Sequence, residues 1–223
     1  MIDVARIVLV EDNDIIQLGL KSFIADLPDF KVVAAFSSFD GVGNFLDKEG
    51  GDILILDDLV PGQDTASYIR YLRFNFPSLK VIVFGADLYG PIIRSYLDCG
   101  AMAFIYKEEL LRHCLAEGLH AVRQGRLYIS HQASTLLLSG NNLRPLSRRL
   151  YQVLKALGEW EITNPQDIAK RLNLSVKAVY NAKERLREFF NVRTNEAVVA
   201  EAIRQGYIKR PGHKSDSVNH GSI

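Results

Sequence analysis

Four runs of consecutive apolar residues constrain this chain more than any other feature: RIVLV at 6–10, KVVAAF at 31–36, DILIL at 52–56 and KVIVF at 80–84, with a weaker MAFIY at 102–106. None alternates polar with apolar residues. That is the pattern of strands buried on both faces. Between the runs lie stretches of helical length and mixed polarity, at about 14–26, 39–48, 64–75, 88–98 and 108–124. Strands alternating with helices predict a parallel sheet covered on both sides and joined by right-handed crossovers. Five such units fill residues 1–124, so the expected fold is α/β with a five-stranded, doubly wound parallel sheet.

After residue 124 the text changes. GRLYIS (125–130), a short helical pattern HQASTLLL and the turn-rich SGNNLRP (139–145) read as a linker with a short helix over 125–145. Residues 146–208 then read as helices only, at about 147–157, 165–172, 175–190 and 194–204, a small all-α four-helix domain. The tail 209–223 has almost no apolar content and is expected to be disordered. Charge divides the same way. Residues 1–142 carry a net −6 and residues 143–210 a net +7, so an acidic first part is joined to a basic second part. A basic helical domain is the natural candidate for a nucleic-acid surface.

Other classes are disfavoured. No apolar run reaches the roughly 18 residues of a membrane helix, and no apolar signal stretch follows a basic start. The expectation is a cytoplasmic protein with no membrane partner. Cys99 and Cys114 have no metal-ligand spacing and read as small core residues.

In an open doubly wound sheet, functional groups gather beyond the carboxyl ends of the strands. Here the first strand runs into Glu11 and Asp12, the third into Asp57 and Asp58, and the fifth into Lys107. Converging carboxylates repel unless a cation sits among them. A hard divalent ion such as Mg²⁺ together with one lysine satisfies that need, and the set suits phosphoryl transfer to a carboxylate. The plainer alternative is that Asp12 and Asp14 cap the next helix while Asp57 and Asp58 sit in a solvated turn.

With IVLVEDN at the first strand, DILILDDLVPG at the third and AFIYK at the fifth, residues 5–124 resemble the receiver domain of bacterial two-component response regulators, a flavodoxin-like fold. The resemblance implies that Asp57, four residues before Pro61, is the phosphoacceptor. It implies that Glu11, Asp12, Asp57 and the backbone carbonyl of Leu59 bind Mg²⁺. Lys107 would pair with the phosphoryl group, and Phe104 falls at the family's switch aromatic. One departure stands out: the family's Thr or Ser at the end of the fourth strand is Gly85 here, which brings no hydroxyl.

The basic part contains NPQDIAKRLNLSVKAVYNAKERLREFF (164–190), a helix, a tight turn and a longer helix. Asn164 and Ser175 are N-cap candidates, with Pro165 at a first helical position. In the second helix Val179, Ala182, Leu186 and Phe190 gather on one side, opposite Lys177, Tyr180, Asn181, Glu184 and Glu188. An apolar back with a hydrogen-bonding front, set after a short turn, is what a helix-turn-helix offers a major groove. Residues 146–208 resemble the LuxR/NarL-type DNA-binding domain. By that resemblance Lys177 contacts phosphate, Tyr180, Asn181 and Glu184 face base edges, and Lys183, Arg185 and Arg187 supply further backbone charge. The stripe Val198-Val199 and Ala202-Ile203 on the closing helix is either a dimer contact or core.

These readings converge on a response-regulator transcription factor, a homodimer on a two-fold symmetric operator, supplied with phosphate by a sensor histidine kinase. The first alternative is an atypical receiver, lacking the hydroxyl at Gly85, that regulates DNA binding without phosphorylation. The second is a phosphohydrolase working through an aspartyl-phosphate. It is disfavoured because Asp58, adjacent to Asp57 on a strand, must point to the other face.

Overall fold

The computed structural model describes residues 4–60, 64–109, 111–139 and 143–208. Pro61 and the tail 209–223 lie outside the described residues. The chain divides into two compact units at Asn142/Leu143.

The first unit alternates strand and helix: β1 (Ala5–Val10), α1 (Asp14–Ala25), β2 (Phe30–Phe36), α2 (Val42–Glu49), β3 (Ile53–Asp57), α3 (Thr65–Asn75), β4 (Lys80–Gly85), α4 (Gly90–Cys99), β5 (Ala103–Tyr106), α5 (Leu111–Arg123), β6 (Tyr128–Ile129) and α6 (His131–Leu138). All pairings are parallel, in the order β2-β1-β3-β4-β5-β6. Every residue of β3 and β5 is buried, which is why their sequences show no alternation. β2, at the edge, has a buried Phe30 and only partial burial from Val32 onward.

The sheet has six strands, which corrects the expected five. Tyr128 and Ile129 align with Ala103 and Phe104 along the free edge of β5. The Tyr128 amide donates to the Met102 carbonyl at 3.1 Å and the Ser130 amide to the Phe104 carbonyl at 3.0 Å. A two-residue strand has no periodicity to read; the edge it completes defines it.

Pleat parity sets the site. Leu9, Ile55, Phe84 and Ile105 belong to one core cluster with Leu20, Phe23 and Ile24 of α1 and Leu115, Leu119 and Val122 of α5. Side chains alternate faces along a strand. Two residues further on, Glu11, Asp57 and Lys107 therefore emerge on the α1/α5 side, whereas Phe104, Asp58 and Gly85 belong to the opposite side. Strand order reverses between β1 and β3, which opens a crevice at their carboxyl ends.

The second unit holds α7 (Arg148–Gly158), α8 (Pro165–Leu172), α9 (Val176–Phe190) and α10 (Asn195–Gln205). Asn164 caps α8 by accepting from the Gln166 amide at 2.9 Å, and Ser175 caps α9 by accepting from the Ala178 amide at 3.1 Å. Asn173 takes the left-handed conformation, φ 50°, that ends α8 and leaves two residues before α9. Tyr151, Leu154, Ile168, Val179, Leu186, Phe190 and Val198 form the buried centre.

Candidate functional site

The acidic crevice is built from three strand ends. Lys107 Nζ lies 2.8 Å from Glu11 Oε2 and 2.9 Å from Asp57 Oδ1, and both carboxylates are almost fully buried. The Asn13 amide donates to Glu11 Oε1 at 3.1 Å and the Leu59 amide to Asp57 Oδ1 at 3.0 Å. Asp12 is exposed at the mouth, and carboxylate oxygens of Glu11, Asp12 and Asp57 lie within 4.8 Å of one another.

The capping alternative is resolved in favour of a residue the sequence reading passed over. Asn13 Oδ1 accepts from the amides of Ile15 and Ile16 at 3.0 and 3.2 Å and is the N-cap of α1. Asn13 followed by Asp14 at a helix start was the available signal.

Three carboxylates face one ammonium. Burial first, and then the Asp57 charge, push the Glu11 carboxyl up to about 7, against the opposing pull of Lys107 and the Asn13 amide. Burial alone would lower the Lys107 ammonium, but the Asp57 and Glu11 charges outweigh it and hold it above the usual lysine value. Hard oxygen donors with residual negative charge and one exposed member fit a small divalent cation such as Mg²⁺.

Asp57 and Asp58 diverge. Asp58 is fully buried and its Oδ1 accepts from the Ala86 amide at 3.1 Å, just past β4. Phe104 is also fully buried, with its ring 6.5 Å from that of Tyr96. A Cβ at Gly85 would stand 2.5 and 2.6 Å from two Phe104 ring atoms, so the aromatic occupies the space that a side chain at 85 would need.

In the second unit α9 exposes Lys177, Tyr180, Asn181, Glu184 and Arg185. Lys183 does not join them. It is 5% exposed, and its Nζ donates to the Thr163 carbonyl at 2.8 Å. The expectation that it supplies charge to a DNA backbone is corrected: at i+4 from Val179 and i−3 from Leu186, it falls inside the apolar stripe. Burial, followed by the nearby Arg187, holds its ammonium below the usual value. Arg187 is partly turned inward, bonded to Asn195 Oδ1 at 3.0 Å and paired with Glu184. On α10 Val198 and Ala202 are fully buried within this unit, while Val199 and Ile203 are half-buried.

Residues 7–116 match the response regulator receiver domain. The chain is 26% identical to the transcriptional regulatory protein RcsB of Escherichia coli (strain K12), over 80% of this chain and 85% of that protein. It is 23% identical to the transcriptional regulatory protein DegU of Brevibacillus brevis, over 92% and 95% respectively. Residues 7–116 are a response regulator receiver domain. Among solved structures it is similar to RcsB in a structure of two dimers bound to two parallel DNAs, with a TM-score of 0.58 and 24% identity over 89% of this chain and 97% of that one. The chain thus has a receiver fold whose acids and lysine converge and a second unit whose turn and long helix expose a polar face. Among the described residues no helix is long and apolar enough to cross a membrane.

Proposed function

We propose that this chain is a cytoplasmic response-regulator transcription factor whose receiver, over residues 1–124, accepts a phosphoryl group on Asp57. Residues 146–208 bind DNA as a homodimer on a two-fold symmetric site, and residues 125–145 join the two parts. The observation that carries the reading is the convergence of Asp57, Glu11 and Lys107 in one pocket, with Lys107 Nζ within 2.9 Å of both acids. A carboxylate oxygen of Asp57 forms a bond to phosphorus as the donor's bond to phosphorus breaks, and the electron pair leaves with the donor. The donor is the phosphohistidine of a sensor kinase or a small acyl phosphate. Lys107 meets the phosphoryl oxygens with its ammonium. Glu11, Asp12, Asp57 and the Leu59 carbonyl would hold Mg²⁺, which supplies further positive charge at those oxygens. On α9, Lys177 and Arg185 contact the phosphate backbone, while Tyr180, Asn181 and Glu184 face base edges.

Incubation with acetyl phosphate and Mg²⁺, followed by intact mass measurement, tests the receiver. A phosphoryl adduct is expected on the wild type and none on Asp57→Asn; no adduct on either overturns the reading. The protein is not a turnover catalyst in this account. A phosphohydrolase needs a second acid at the phosphoryl group, and Asp58 is bonded to the Ala86 amide instead.

A second reading, regulation without phosphorylation, is favoured by one observation: Phe104 fills the space beside Gly85, where a hydroxyl side chain would stand. The same adduct measurement separates the two readings.

A further inference from the structure

Asp57 ends β3 and Asp58 follows it, and only Asp57 has a part in the chemistry proposed above. Asp58 is nonetheless the more deeply placed of the pair, at 0% exposure. A carboxyl group held away from water is costly unless hydrogen bonds offset the lost hydration. Its bonds show what that position does. Its side chain accepts from the Ala86 amide at 3.1 Å, its carbonyl accepts from the buried Thr65 hydroxyl at 3.1 Å, and its amide reaches the Phe84 carbonyl at 3.4 Å. One residue thus ties the end of β3 to the exit of β4 and to the first residue of α3.

Gly85 lies against this carboxyl. A Cβ there would stand 3.3 Å from Asp58 Cγ and against the Phe104 ring. The Phe104 ring is what a side chain at 85 would strike, while the approach to the Asp58 carboxyl is tight. The bare backbone at 85 thus lies between the carboxyl and the ring.

The bonds also close on themselves. Asp57 Oδ1 meets Lys107 Nζ at 2.9 Å, and the Lys107 amide donates to the Gly85 carbonyl at 2.8 Å. Gly85 is joined covalently to Ala86, whose amide meets Asp58, and Asp58 is joined covalently to Asp57. The Leu59 amide, which donates to Asp57 Oδ1, straps the Asp58 backbone from the other side. Within so small a ring, drawing Lys107 toward new oxygen atoms on Asp57, or releasing the Leu59 amide, changes the load on residues 85 and 86. No hydroxyl at position 85 is needed.

We propose that Asp58 is a positioning residue that couples the chemical state of Asp57 to the connection between β4 and α4 through the Ala86 amide. This rests on the reading of Asp57 as phosphoacceptor. Asp58 does not touch the phosphoryl group; it transmits its arrival.

The test is hydrogen exchange at the Ala86 amide, followed by NMR on the full chain, with and without Mg²⁺ and beryllofluoride, in the wild type, Asp58→Asn and Asp58→Ala. Intact mass after acetyl phosphate treatment is measured in parallel. In the wild type, Ala86 is protected at rest, and beryllofluoride changes its exchange rate by about tenfold, the scale of one hydrogen bond. Asp58→Asn, which keeps a carbonyl acceptor, retains the protection and the response. Asp58→Ala loses both while still acquiring the phosphoryl adduct. An adduct in the wild type with no change at Ala86 overturns the coupling and leaves the phosphoacceptor reading intact. So does an Asp58→Ala protein in which Ala86 behaves as in the wild type. Absence of both the adduct and the beryllofluoride response in the wild type overturns the coupling together with the phosphoacceptor reading. The wild-type measurement stands even if Asp58→Ala fails to fold.

Discussion

Lys107 and Lys183 make an instructive pair, one in each unit. Both carry an ammonium group into poorly solvated surroundings, and a single-letter reading treats both as functional cations. Lys107 lies between two buried carboxylates, Glu11 and Asp57, which hold its ammonium above the ordinary lysine value. Lys183 has one carbonyl, that of Thr163, and burial draws its ammonium below that value. The difference lies in the company rather than the residue. An ammonium among excess carboxylates is a standing charge available to an incoming anion, whereas one among helices is an apolar stem with a tethered end.

The sharpest way to break this comparison is to remove the two charges in turn. Lys107→Met leaves Glu11 and Asp57 buried without their cation and should cost about 3 kcal/mol or more of stability at pH 8 in the absence of divalent ions. Lys183→Met keeps the apolar stem and frees a carbonyl on the exposed Thr163, so its cost should stay below about 1 kcal/mol. Denaturant unfolding of the full chain measures both, and equal losses would abolish the distinction.

A smaller effect concerns pH. The Glu11 carboxyl stands at about 7 in the metal-free fold, above its ordinary 4.5. A carboxyl raised by folding contributes stability at low pH that is lost as pH rises through the window from about 4.5 to 7. Mg²⁺ needs the carboxylate, so its affinity should move the other way, rising by up to about tenfold per pH unit below pH 7 and levelling above pH 8. Calorimetric titration in buffers of different ionisation enthalpy should register the released proton. Mg²⁺ binding with no proton release at pH 6.5 would remove Glu11 from the ligand set.

The smallest expected effect sharpens the other side of the comparison. Lys177→Ala should lower the salt slope of binding to a non-specific DNA duplex by about one, so that its deficit at low salt shrinks three- to fourfold between 50 and 200 mM salt. Lys183→Met should leave that slope unchanged. Fluorescence anisotropy across a salt series decides it, and a slope that also falls for Lys183→Met would return that residue to the DNA face.

Much of the fold was legible because it depends on continuous patterns. β3 and β5 lie wholly inside the sheet, and their unbroken apolar runs announced it. The acidic crevice followed from counting strand ends, since a parallel sheet delivers its carboxyl ends to one edge. What escaped the reading was short or ambiguous. Tyr128 and Ile129 form a strand only because β5 leaves an edge open. Asn13 and its acidic neighbours all have the chemistry of a cap, and only the backbone around them selects Asn13.

By itself, then, the order of residues determined the alternation of elements, the gathering of Glu11, Asp12, Asp57 and Lys107 at one rim, and the polar front of α9. These depend on periodicity and on the handedness of parallel connections, which are local rules with few exceptions. Tertiary structure alone decided the sixth strand, the burial of Lys183 and the seat of the Asp58 carboxyl on the Ala86 amide. In each of these cases a side chain or a short segment had two chemically acceptable environments, and packing against residues distant in the chain selected one.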